Sequence, residues 1–415
     1  MIHTETLLSC EDKKCRDSEQ LGFLWALSWL ASIMLAAVLL LVLWSILFHF
    51  STTEIPAGIS QPLKLRCLHC LILMTIGLVC LCWWFRLYFK CKQKVSLSIK
   101  DLRFDGVPVR MYQPKTLRGG PWRTILYFHG GAGHFGSVDH HLCTPNEWYT
   151  SSYLFNHRYR LSPEHPYPAL LTDCLTATEH LMTHCEDYAV DSNSIIISGD
   201  SCGGTIAALV CQHLLGKPGF PKPRAQILIY PFLQAVDFNL PSYQKNQNKP
   251  LLTRRQVVEN IVQCLQQDMS LVDKALNGSH ISQEKKMRYQ KWLHPEIIPE
   301  ALKTHGCRQV SPPSPESFLD DEKIKEAFEM ISPLLAEDSV IRQLPECYIL
   351  TCTNDALMDD GLLYKKRLED NGVRVTWYQL EDGFHGVLFF INHWLFHFSA
   401  AKQGLDSVVA FINNL

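Results

Sequence analysis

Apolar and polar positions divide the chain near residue 95. Leu21 to Phe50 is a thirty-residue run with no Asp, Glu, Lys or Arg. About 20 apolar residues span the roughly 30 Å hydrocarbon core of a bilayer at 1.5 Å per helical residue. The run therefore predicts a transmembrane signal anchor over 21–50, behind a tail of residues 1–20. A cleaved signal peptide fits poorly, because the run is too long and begins after a charged head. A second uncharged stretch, Cys67 to Phe85, ends in Arg86, Lys90, Lys92 and Lys94. Three readings of it stay open: a second span at 67–85, a helix on the bilayer surface, or a cover over a site. Residues 51–94 are accordingly read as an apolar linker.

From residue 95 to 415 short apolar runs alternate with helical patterns, which predicts an α/β domain with a mostly parallel sheet. Strands are expected at Val95–Phe104, Val107–Gln113, Thr124–Phe128, Ser194–Ser198, Ala225–Tyr230, Cys347–Thr351 and Val373–Leu380. Helices are expected at Pro168–Cys185, Gly203–Leu215, Gly361–Asp370 and Leu405–Leu415. The long interval between Tyr230 and Cys347 carries helical patches at Arg254–Gln267 and Gln283–Trp292. A structureless loop of that size does not fit a compact domain, so residues of about 235–340 are read as an inserted helical cap.

Composition changes one point. The chain of 415 residues is 47% hydrophobic and only 19% charged, with a net charge of −2, against about 25% charged in ordinary soluble domains. The deficit is local, since residues 21–85 contain only Glu54, Lys64 and Arg66. This excludes disorder, and a near-zero charge makes nucleic acid a poor partner. Lys13, Lys14 and Arg16 precede the anchor, so positive-inside logic keeps the N-terminus cytosolic and sends the rest to the lumen. Asn277-Gly278-Ser279 is the one glycosylation sequon and votes weakly the same way. The sixteen cysteines form no framework. Cys67-x-x-Cys70 has no second pair at zinc spacing, so neither metal nor disulfide is assigned.

The chemistry lies in four loops, each after an expected strand. Gly199-Asp200-Ser201-Cys202-Gly203 follows Ile195–Ile197 and opens a helix, the pattern of a nucleophile elbow that thrusts Ser201 out of the sheet. His129-Gly130-Gly131-Ala132 follows Thr124–Phe128. The backbone N–H groups of Gly130 and Gly131, with that of Cys202, are candidate donors to an oxyanion. A serine needs a base and an acid that orients the base. His385 is the one histidine in Glu381–Gly386, the loop after Leu380. Asp355, Asp359 and Asp360 compete as the acid. Asp359 and Asp360 sit where a helix begins and are explained as N-terminal caps, whereas Asp355 lies nearer the strand end and is chosen.

These motifs, with Tyr159–Ala169 (YRLSPEHPYPA), Asp355-x-Leu357-x-Asp359, Asp382-Gly383-Phe384-His385-Gly386 and Pro241-Ser242-Tyr243-Gln244, resemble the hormone-sensitive-lipase branch of the α/β-hydrolases. The chain is similar to the arylacetamide deacetylase-like group, near its fourth-member subfamily, over nearly everything from residue 50 onward. The resemblance implies an α/β-hydrolase fold with a cap, and a single-pass type II protein of the endoplasmic reticulum with a lumenal esterase domain. It also implies a Ser201, Asp355 and His385 triad, and oxyanion donors at Gly130, Gly131 and Cys202 beside the motif histidine His129. The activity expected is hydrolysis of lipophilic carboxylic esters or acetyl amides through an acyl-serine, without a cofactor or metal. The alternative is an inactive or weak hydrolase-fold binding protein at the membrane, as in the gibberellin receptor, which has lost its triad histidine.

Three departures bear on these expectations. The third glycine of the His-Gly-Gly-Gly pattern is Ala132. Some relatives have a cysteine five residues after the motif histidine, able to pair with one like Cys352, and here that slot is His134. Residues Asp139–Arg158 are polar where relatives place a helix and an apolar central strand, so a weakened strand is expected there.

Overall fold

Among the described residues, strands β1 (Leu97–Phe104), β2 (Val107–Pro114), β3 (Trp122–Phe128), β4 (Tyr153–His157), β5 (Val190–Asp200), β6 (Ala225–Ile229), β7 (Glu346–Asn354) and β8 (Val375–Phe384) form one sheet. Its order is β1-β2-β4-β3-β5-β6-β7-β8 in this computed structural model. The structure describes residues 59–79, 97–115, 120–137, 152–298, 300, 322–391 and 396–415, with 25, 28–30, 32–44, 46–48, 51, 53 and 55 near the N-terminus.

All pairings from β4 through β3 to β8 are parallel, and β1 and β2 join antiparallel. The central strands are apolar on both faces because helices cover both. On one side, α3 (Ala169–Thr183) and the nearly all-apolar α4 (Cys202–Leu214) pack over Leu126, Phe128, Ile195, Ile197 and Ile349. Alternation along β7 turns Tyr348 and Leu350 to the other side. There Tyr348 meets Phe411 of the last helix, α12 (Ser399–Asn413), with ring centres 5.2 Å apart.

Each expected strand forms, within a few residues of its expected bounds. The expectation of a weakened strand in Asp139–Arg158 is corrected. β4 is buried at all five positions and pairs with β2 on one side and β3 on the other. Its apolar start, Tyr153-Leu154-Phe155, is enough to hold it in the sheet. Its polar end is also buried, and burial pushes His157 down to about 3, so the ring packs as a neutral group against Phe128. Residues 138–151 of that stretch lie outside the described residues.

Between β6 and β7 the chain forms α5 (Pro241–Lys245), α6 (Arg254–Cys264), α7 (Leu271–Asn277), α8 (Gln283–Leu293), α9 (Glu322–Met330) and α10 (Asp338–Ile341). Thr253 and Gln256 start α6 with a reciprocal capping box. After β7 comes α11 (Met358–Asp370).

The described chain divides into two units, one within Met1–Thr53 and Cys67–Cys82, the other within Glu54–Arg66 and Trp83–Leu415. In the first, α1 (Ser28–Phe48) is, among the described residues, the one helix long and apolar enough to cross a membrane, and its apolar side chains are exposed. A further apolar helix, α2 (Pro62–Val79), covers most of the second uncharged stretch. The remainder of that stretch, to Phe85, lies outside the described residues.

Candidate active site

Ser201 stands between the end of β5 and the first residue of α4, at φ 54° and ψ −124°. That left-handed, strained backbone is held because the sheet fixes it on both sides. The Ser201 N–H donates to the Ile229 carbonyl of β6 at 2.9 Å, while Gly204 N–H reaches back to the Ser201 carbonyl at 2.9 Å. The turn leaves no space beside it: a Cβ at Gly199 would lie 2.1 Å from the Gly203 carbonyl oxygen.

The two other expected residues arrive from the ends of β7 and β8. His385 Nε2 lies 2.9 Å from Ser201 Oγ, and His385 Nδ1 lies 2.8 Å from Asp355 Oδ2. Asp355 is buried, and its second oxygen accepts the Leu357 N–H at 2.9 Å. With Nδ1–H donating to Asp355, Nε2 is free to accept the Ser201 proton. Asn354 ties the two loops together by donating to the Gly383 carbonyl at 3.2 Å. Cys202, beside Ser201, is no rival nucleophile. Burial, followed by the charge of Asp200, pushes its thiol up to about 12 and keeps it protonated.

The loop after β3 corrects one expectation. The Gly130 N–H already donates to Asp200 Oδ1 at 2.8 Å, so it is not a free oxyanion donor. The N–H groups of Gly131, Ala132 and Cys202 have no hydrogen-bond partner among the described residues. Ala132 takes a left-handed φ of 57° and lines the pocket beside Ser201. The third position of the glycine motif thus keeps the glycine-like backbone despite its methyl group.

Asp200 is the residue that sequence reasoning passed over. It is buried and accepts from Tyr127 Oη at 2.6 Å as well as from Gly130. Burial raises its carboxyl above the ordinary range, and these two donors oppose that rise. One carboxylate therefore links the turn of Ser201 to the loop after β3. His129 is buried under Tyr159, whose hydroxyl donates to the His129 carbonyl at 2.5 Å and whose ring stacks on the imidazole at 4.3 Å. His129 shapes the loop and does not reach the triad. His134, in the slot of the relatives' cysteine, is 2.9 Å from the Asn260 carbonyl of α6, and Cys352 is a buried free thiol.

A cavity of about 90 Å³ opens at Ser201. Its wall is almost wholly apolar: Leu170, Ile206 and Leu209 from α3 and α4, Phe232 after β6, and Val257 and Ile261 from α6. Apolar walls around a reacting serine favour an apolar acyl group and exclude water.

Asp359 and Asp360 do more than cap a helix. Asp360 accepts from Leu233 N–H, Gln234 Nε2 and Tyr243 Oη at 3.0–3.2 Å, and Asp359 accepts from Ser242 N–H at 2.7 Å. They join the start of α11 to α5 and the chain before it, and just after α5 Asn246 donates to the Asp355 carbonyl at 2.9 Å. Burial raises Asp359 to about 6 and Asp360 to about 7, from an ordinary 3.8. The native state then holds protons that the unfolded chain has released, so stability falls as the pH rises from about 4 to 7. The thermal midpoint is expected to be lower at pH 8 than at pH 5, and Asp360→Asn to narrow that gap. An unchanged gap in melts of the variant refutes the assignment.

Comparison with known proteins gives one family. A family profile described as the alpha/beta hydrolase fold matches residues 125–288 and 307–389. Human arylacetamide deacetylase-like 4 is 40% identical over 410 residues, covering 94% of this chain and 100% of the relative. Bovine arylacetamide deacetylase is 36% identical over 311 residues, covering 71% of this chain and 76% of the relative. Among solved structures, carboxyl esterase 2 of the fungus Tuber melanosporum superposes with a TM-score of 0.56 at 20% identity. It covers 79% of this chain and 89% of its own.

Proposed function

The chain belongs to the arylacetamide deacetylase-like group of the α/β-hydrolase family, and on that premise we propose that it is a membrane-anchored serine hydrolase acting on carboxylic esters or acetyl amides. The observation that carries this reading is the unbroken series Asp355–His385–Ser201, with hydrogen-bond distances of 2.8 and 2.9 Å. His385 takes the Ser201 proton as Oγ attacks the carbonyl carbon. Asp355 holds the imidazole in the required tautomer and stabilises its charged form. The N–H groups of Cys202, Gly131 and Ala132 receive the oxyanion, with Gly130 held back by Asp200. His385 then protonates the leaving group, and water, deprotonated by the same imidazole, releases the acid from the acyl-serine.

The cavity sets the acyl side of the substrate. At about 90 Å³ it is smaller than the ~150 Å³ apolar cavity that accommodates benzene. It therefore suits acetyl to butyryl groups, and the lipophilic part of the substrate falls to the alcohol or amine side. The helices between β6 and β7 serve as a cap, since α6 supplies one wall of the cavity. The exposed α1 serves as the membrane anchor, in a type II orientation that places the hydrolase domain in the lumen of the endoplasmic reticulum. Asn277 is exposed at the end of α7, where a glycan has room.

One experiment tests both parts, using the full chain in sealed microsomes. Acetyl and butyryl nitrophenyl esters are expected to exceed the decanoyl ester about tenfold in kcat/KM, because a chain longer than the cavity must displace its wall, and such overpacking costs about 1–3 kcal/mol. A membrane-impermeant fluorophosphonate is expected to label the chain only after permeabilisation. Equal rates across acyl lengths would refute the acyl assignment, and labelling of intact vesicles would refute the lumenal one.

A further inference from the structure

Residues 59–66 follow the apolar helix α1 in the chain and reach the loop that carries His385. Ser60 takes both oxygens of one carboxylate: its N–H donates to Asp382 Oδ1 at 2.9 Å and its hydroxyl to Asp382 Oδ2 at 2.5 Å. Lys64 Nζ donates to the His397 carbonyl at 2.7 Å and lies 5.5 Å from the centre of the Phe398 ring. Phe398 in turn packs edge-on against Phe384, the residue before His385, with ring centres 4.9 Å apart. Ile59 and Leu65 are buried, Leu65 completely. Burial of two aliphatic side chains marks a docked segment, since an exposed tail gains no such stabilisation.

The place of this contact matters. Among the described residues β8 is the edge of the sheet, with β7 as its one neighbouring strand. Its pairing with β7 also breaks between Leu380 and Phe384, and Asp382 lies in that break. Three residues later stands the histidine whose ring must reach both Ser201 and Asp355. A general base works only within about 2.6–3.2 Å of its proton, and a 1 Å misplacement costs about 10²-fold in rate.

We propose that residues 59–66 are a positioning strap for the His385 loop, with Ser60 acting through Asp382 and Lys64 acting through Phe398 and Phe384. The proposal rests on the reading of His385 as the general base. Residues 59–66 then do two things: they enter α2 and form its first turn, and they fix the catalytic histidine at the end of the edge strand β8. Neither strap residue touches the triad, so removing them should slow the chemical step and leave substrate binding nearly intact.

The test uses the full chain in detergent micelles, comparing the parent with Ser60→Ala/Lys64→Ala and Ser60→Thr/Lys64→Arg. The alanine pair is expected to lower kcat about tenfold with KM within about twofold. It is also expected to speed amide hydrogen exchange over residues 381–388, and the Thr/Arg pair to restore both. A kcat and an exchange rate both unchanged in the alanine pair would overturn the strap. If the parent neither hydrolyses esters nor reacts with a fluorophosphonate, the hydrolase reading fails by itself. Exchange over 381–388 then decides the strap: faster exchange in the alanine pair upholds it, and unchanged exchange overturns it.

Discussion

Ser201→Ala is expected to lower kcat/KM toward short-chain nitrophenyl esters by at least about 10⁴-fold, and to abolish fluorophosphonate labelling. Ser201 Oγ is the atom that His385 Nε2 faces at 2.9 Å, and no neighbouring group can replace it. Cys202, the adjacent thiol, is half-buried and held protonated, its pKa pushed up to about 12. The residual rate should come from the oxyanion donors and the cavity alone, which still act on an attacking water. Stability should barely change, because alanine keeps the Cβ that the strained turn already accommodates. The measurement is steady-state hydrolysis by both proteins at matched, folded concentrations. Parent-like turnover in the variant would remove Ser201 from the mechanism.

Gly203→Ala should act on the fold instead. A Cβ at this position would lie 2.0 Å from the Phe128 carbonyl oxygen and 2.8 Å from that of His129. Both obstacles are main-chain atoms at the end of β3, so no side chain can swing aside. Ordinary overpacking costs about 1–3 kcal/mol. Here α4 itself must shift from the sheet, and a loss of about 4 kcal/mol or more is expected. Gly216→Ala is the control: unlike the helical Gly203 it has a left-handed φ of 76°, but a Cβ there meets nothing within 4 Å. It should cost only the about 1–2 kcal/mol of an L-residue in that conformation. Denaturant unfolding of the two variants separates them, and similar losses in both would show that the close approach of α4 to β3 is not the constraint.

Local chemistry alone makes much of this protein legible in its sequence. A thirty-residue uncharged run can satisfy its backbone in lipid only as a helix, and α1 is a long, exposed apolar helix. Gly199-Asp200-Ser201-Cys202-Gly203 needs only its own small residues to make the turn, so the elbow was readable from five positions. Strands such as Ser194–Ser198 and Cys347–Thr351 declared themselves because both of their faces are apolar. β4 was harder to read, since Asn156 and His157 are polar residues buried by pairing on both sides. Nothing in the local pattern reports that a neighbour on each side will complete such a strand.

What the sequence by itself determined is the set of parts: a long apolar helix near the N-terminus, an alternating α/β chain, a serine elbow, a glycine loop, and an acid and a histidine after later strands. Each is written in a short window, where periodicity, steric freedom and charge act over a few residues. Only the tertiary structure decided which backbone donors remain free. Gly130 is removed by a carboxylate seventy residues away, and Ala132 takes a glycine-like φ in its place. Asp359 and Asp360 likewise changed from helix caps to buried acceptors for α5 and the chain before it. The grip of Ser60 on Asp382, across 322 positions, has no local signature. Such contacts exist because the sheet brings distant loops to one edge, and hydrogen bonds between them depend on position in space, which spacing along the chain does not encode.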